Sequence, residues 1–82
     1  PPEVRAAAVN AVQRHLVEKT RLGIPALVWI EALHGVVARG ATSFPQALAL
    51  GSTWDPELLR EVFTVAAREA RASGANNVLA PV

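Results

Sequence analysis

The chain has 82 residues, 51% of them apolar and only 18% charged, with a formal net charge of +1 and no cysteine. Disulfides and thiolate metal sites are therefore excluded. Opposite charges alternate, as in Glu18-Lys19, Arg60-Glu61 and Arg68-Glu69, which describes a solvated surface and argues against nucleic acid as a partner. No apolar run approaches the ~18 residues of a membrane-spanning helix, so no membrane is expected as a partner. A chain of this size hides only ~60–65% of its unfolded surface, and an average domain is ~25% charged. So apolar a sequence is expected to associate or to belong to something larger. The opening "PPEV" and the closing "NVLAPV" both read as cuts, so the expectation is a segment of a longer protein.

From Glu3 to Lys19, Val4, Ala8, Val12 and Leu16 recur at four-residue intervals while Arg5, Asn10, Arg14 and Glu18 take other faces. This spacing predicts an amphipathic helix, entered through Pro1 and Pro2. Gly23 is the expected C-terminal cap, and Pro25 blocks re-entry. "ALVWI" (26–30) is continuous in its apolarity, which predicts a parallel strand buried on both faces. "HGVVARGATSFP" reads as a loop, and "QALALGST" (46–53) fits a short strand or a helical turn equally well.

The next element carries the clearest signals. Asp55 is an N-cap, Pro56 takes the first helical position and Glu57 the first turn. Leu58, Val62, Val65, Ala66 and Glu69 carry the period to Ser73, and Gly74 supplies a left-handed cap. "VLAP" after "ANN" is a second strand candidate. Strands alternating with helices of about 15 residues predict crossover connections and a parallel sheet. An open doubly wound sheet and the first units of a (β/α)₈ barrel both fit; a whole barrel needs ~250 residues.

Glu31 closes the first strand, where parallel α/β folds bind ligands. A carboxylate there accepts hydrogen bonds from hydroxyls or acts as acid or base; its bland counterpart is a strand end meeting water. Glu31 and His34 also form Glu-x-x-His, a di-iron spacing that occurs once here where such sites need two copies, so no metal is expected. His34 is expected to bond loop backbone before Gly35, and His15 to sit on the surface. Trp29 and Trp54 suit a sugar platform, but core packing is the expected role of each. No nucleotide motif is present and no cofactor is expected. Ser43 lacks the frame of a nucleophile elbow, and no pair of acids stands out as a general acid/base couple.

"RLGIPALVWIEALHG", "GATSFPQALALGSTWDPELL" and "AAREARASGANNVLAPV" together resemble the N-terminal barrel of the family 3 glycoside hydrolases. The likeness is to the branch of β-xylosidases, α-arabinofuranosidases and β-glucosidases, and it runs from about residue 12 to residue 82 without a gap. It implies that residues 1–82 are part of a (β/α)₈ TIM-type barrel, incomplete in this chain. It also implies retaining hydrolysis of terminal β-linked sugars, xylosides or glucosides, in plant-type oligosaccharides. Such hydrolysis needs two carboxyl groups ~5–5.5 Å apart. The resemblance puts both outside these residues, so no catalytic residue is expected here. What carries over is Glu31, at the position where the family uses Asp or Glu to hold sugar hydroxyls. Glu rather than Asp favours a pentose. The implied partners are a glycoside or oligosaccharide and the rest of the parent barrel.

Two rivals stand beside this. One is a small self-contained α/β binding or oligomerisation module without catalysis. The other keeps the barrel but makes the parent a β-N-acetylhexosaminidase, whose motifs are absent from this sequence.

Overall fold

The computed structural model describes residues 1–80. Its elements run α1 (Pro2–Lys19), β1 (Trp29–Ile30), α2 (Ala47–Gly51), α3 (Pro56–Ala72) and β2 (Asn77–Val78). The two strands pair in parallel, Trp29 opposite Asn77 and Ile30 opposite Val78. The fold is thus mixed α/β with a parallel crossover, as the alternation of elements predicts. The second strand candidate is met in part, since Pro81 lies outside the described residues. No helix among the described residues is long and apolar enough to cross a membrane.

α3 forms as its signals require. The Asp55 carboxylate accepts the Leu58 N–H at 3.1 Å, satisfying one of the donors a helix start leaves free. At the other end Gly74, with φ +98°, lets the Ala75 N–H reach Ala70 O at 3.1 Å and the Gly74 N–H reach Arg71 O at 3.0 Å. That paired pattern is the Schellman closure. The inward stripe of α3 is Leu59, Val62, Phe63, Ala66, Glu69, Ala70 and, at the cap, Ser73. Leu58 and Val65, expected in that stripe, are 39% and 38% exposed.

α1 departs further from expectation. Val4 and Val12 lie in solvent, and no residue of the helix is buried. The half-buried positions are Pro2, Ala6, Val9, Gln13 and Leu16, spaced alternately by four and three. A strict four-residue spacing advances about 40° per step around a helix of 3.6 residues per turn, so Val4 and Leu16 cannot share a face. Nor does Gly23 cap α1. The helix stops at Lys19, extended Thr20 is its cap, and the Thr20 hydroxyl donates to Leu16 O. Gly23 makes a separate left-handed turn at φ +63°.

Strand β1 is covered on one face rather than both. Ala26, Val28 and Ile30 are half-buried, whereas Leu27 and Trp29 are 77% and 57% exposed. Ile30 packs on the cluster of Val36, Ala70 and Ala75. α3 lies on that side through Ala70, and a two-stranded sheet leaves its other face largely open. Residues 46–53 settle as a helical turn, with Leu50 its buried residue. The resulting core is thin. The radius of gyration is 15.0 Å, against ~12 Å for a compact body of this length.

Candidate functional site

Glu31 is the first residue beyond β1, at its carboxyl end, and is exposed. Side chains alternate across a strand, so Glu31 shares its side with Leu27 and Trp29, the face opposite the Ile30 cluster. Ala32 then turns the chain with φ +53°, a conformation that costs a non-glycine residue about 1–2 kcal/mol. Its own methyl is buried, 6% exposed. Trp29, Glu31 and Ala32 line a cleft of about 360 Å³ together with Ile30, Val37, Ala38 and, from α1, Arg5. Arg5 and Glu31 flank this cleft without pairing. Among the described residues the one ion pair is Arg60–Glu57, 3.6 Å apart on exposed α3.

The chain leaves Glu31 along one arm (31–35) and returns along another (41–45). The Phe44 N–H donates to His34 O at 2.7 Å. Gly35 has φ +105°, and a Cβ there would stand 2.3 Å from Thr42 O, so only glycine allows the arms this close. Glu69 of α3 holds the returning arm. One carboxylate oxygen accepts the Thr42 N–H at 2.9 Å and the other accepts the Thr42 hydroxyl at 2.7 Å.

The strand itself is clamped from two sides. Asn76 accepts the Val28 N–H at 2.8 Å and donates to Ala26 O at 3.2 Å. The Gln13 amide accepts the Ala26 N–H and donates to the same carbonyl, each at 2.8 Å. The backbone leading to Glu31 is therefore fixed by side chains from α1 and from the start of the second strand.

His34 corrects the expectation of a side chain bonded to loop backbone. Its Nδ1 is buried without a hydrogen-bond partner, and its contribution to the loop runs through its own carbonyl. The tryptophans correct the expectation of core packing. Trp29 borders the cleft, and Trp54, at φ +53°, is 89% exposed. His15 is exposed, as expected. Among the described residues no three His, Asp or Glu side chains gather as metal ligands would.

Sequence reasoning missed Arg5, Thr42, Glu69 and Gln13. Arg5 reads as a solvent-facing helix position, Gln13 and Thr42 enter no pattern, and Glu69 reads as one member of a periodic stripe. The last carried a usable signal, a carboxylate falling on an apolar stripe, which asks for a partner.

Residues 2–82 match the model of the glycosyl hydrolase family 3 N-terminal domain. The chain belongs to glycoside hydrolase family 3. Among its curated relatives is a β-xylosidase of Formosa agariphila, 44% identical over 66 residues, covering 74% of this chain and 9% of the relative. A putative β-xylosidase of the same organism is 37% identical over 73 residues, covering 89% of this chain and 10% of the relative. A probable exo-1,4-β-xylosidase of Aspergillus clavatus is 43% identical over 82 residues, covering 84% and 11% respectively. The family 3 chain described here thus spans about a tenth of the length of these relatives.

Proposed function

We propose that this segment belongs to a retaining β-glycosidase acting on terminal β-linked xylosides or glucosides of plant-type oligosaccharides. In this reading residues 1–82 open a (β/α)₈ barrel, and Glu31 accepts hydrogen bonds from hydroxyls of the sugar being released. The observation that carries it is the position of Glu31 beyond the carboxyl end of β1, on the open face beside Trp29. Barrel enzymes build their sites at those strand ends. The family membership and the β-xylosidase names of the relatives support the reaction class.

The barrel reading draws support from what the chain leaves uncovered. Leu27 and Trp29 project from the strand face opposite α3, the direction in which a closed barrel packs its interior. The two carboxyl groups that break the bond come, in this proposal, from elsewhere in the full-length protein. Arg5 stands across the cleft from Glu31, and a carboxylate, when ionised, offers only acceptors. Sugar hydroxyls are the donors that suit it.

The test is Glu31→Gln in the full-length enzyme, assayed on aryl β-xyloside and aryl β-glucoside. The amide keeps the shape but replaces one acceptor oxygen with a donor. The expected result is a rise in KM and a fall in kcat/KM of roughly 10- to 100-fold, about 1.4–2.8 kcal/mol, with unchanged thermal stability. Unchanged kinetics on both sugars would make Glu31 a boundary residue.

A further inference from the structure

We propose that Glu69 is a positioning residue for Glu31. Its carboxylate latches Thr42, and through the paired arms of the loop it fixes where the sugar-binding carboxylate stands. The inference rests on the reading of Glu31 as a ligand for sugar hydroxyls and adds a residue 38 positions away, on a different element.

The chain of contacts is continuous. Glu69 takes both the N–H and the hydroxyl of Thr42. The carbonyl of Thr42 lies against Gly35, close enough that a Cβ would be 2.3 Å away. Two residues further on, the Phe44 N–H bonds His34 O at 2.7 Å. The returning arm therefore braces the outgoing arm at two consecutive residues, His34 and Gly35. Between that brace and Glu31 stand Leu33 and Ala32, the latter held left-handed at φ +53°. A strained backbone of this kind persists where its surroundings over-determine it. Release of the brace lets Ala32 relax, and Glu31 is the residue joined to it.

Glu69 has no other evident task. It is the one charged residue among the half-buried and buried positions of α3. An apolar side chain there would extend the Val62–Ala66–Ala70 stripe without the desolvation a carboxylate suffers. Its two short, charge-assisted bonds to Thr42 offset that cost.

The experiment is a double-mutant cycle in the full-length enzyme with an aryl β-xyloside. Glu69→Ala is expected to lower kcat/KM by roughly 10- to 100-fold, as a misplacement of about 1 Å does. Glu69→Gln should recover most of that loss, because its amide oxygen takes the Thr42 N–H while its NH₂ donates to the Thr42 hydroxyl. In the Glu31→Gln background, Glu69→Ala should cost nothing further. Hydrogen exchange supplies a readout independent of turnover, with the Thr42 and Phe44 amides exchanging faster in Glu69→Ala. Equal losses in both backgrounds would overturn the latch and leave the reading of Glu31 intact, as would unaltered exchange at Thr42. Unchanged turnover in Glu31→Gln alone would overturn the reading of Glu31 and the latch with it.

Discussion

The Gln13 side chain pairs with the Ala26 peptide as a neighbouring strand would, donating to its carbonyl and accepting from its N–H, each at 2.8 Å. Thirteen residues separate them, and the bonds join the middle of α1 to the backbone entering β1. Edge strands leave such groups unpaired. Here a helix supplies the missing partners with one amide, and α1 needs no large apolar residue at that point of its inward face.

Breaking the pair should be costly in a graded way. Gln13→Ala leaves a half-buried N–H without its partner and removes one donor from Ala26 O, which Asn76 still serves. The expected loss is about 1–2 kcal/mol, read by thermal or denaturant unfolding of the full-length protein. Gln13→Glu is the sharper test. Its carboxylate can accept the N–H but sets a second oxygen against Ala26 O, so folding should favour the protonated form. The folded pKa of the introduced carboxyl then lies above its unfolded value. The deficit relative to wild type should be smallest below the unfolded pKa and grow as pH rises through the folded one. A deficit independent of pH would mean that the amide is not held as a pair.

Two glycines should respond oppositely to alanine. Gly74 has φ +98°, and an added Cβ would lie 2.8 Å from Val9 Cβ on α1. Gly74→Ala combines left-handed strain with a helix–helix clash and should cost about 2–4 kcal/mol. Gly51, inside α2, has nothing within 4 Å of the new Cβ. Gly51→Ala should be neutral or stabilise by about 0.4–1 kcal/mol through the unfolded chain. Paired unfolding curves of the two variants check both statements, and equal destabilisation would contradict the α1–α3 contact at Gly74.

The Asp55 cap offers a cleaner local test. Asp55→Ala should destabilise by about 0.5–2 kcal/mol, while Asp55→Asn retains an acceptor for Leu58 N–H and should lose far less. Equal losses in the two variants would mean that the hydrogen bond at 3.1 Å is not what starts α3.

These residues also show which parts of the fold were legible beforehand. Asp55, Pro56 and Gly74 act within a turn or two of themselves, so their chemistry is written locally, and α3 began and ended where they indicated. The parallel order followed from alternating elements. The failures on α1 are local, but those on β1 and in the loop share a dependence on neighbours distant in sequence. A strict four-residue spacing drifts around a helix, so Val4 falls outside the inward face of α1, which runs through Val9, Gln13 and Leu16. Trp29 reads as core in any local window, yet it is 57% exposed on its face of β1, where α1 contributes only Arg5 to the cleft. For the site, the strand end exposed Glu31 directly. Thr42 and Arg5 carried no signal, since each matters only once the loop and α1 fold back on the cleft.

That uncovered face leads to the last prediction, the behaviour of the 82 residues expressed alone. Leu22, Ile24, Leu27, Trp29, Leu48 and Trp54 are all more than half exposed, and among the described residues the core they flank contains no large side chain that is fully buried. Apolar burial contributes about 25 cal/mol per Å², so leaving these side chains in water forfeits the main term that opposes chain entropy. The isolated segment should therefore bind an apolar dye such as ANS, lack a sharp cooperative melt and self-associate in size-exclusion chromatography. It should show no turnover of aryl β-xylosides. A monomer that melts cooperatively and ignores the dye would restore the self-contained module. It would also mean that Leu27 and Trp29 face water by nature, with no barrel interior to fill. Clear turnover by the segment would overturn the proposal that the bond-breaking carboxyl groups lie elsewhere.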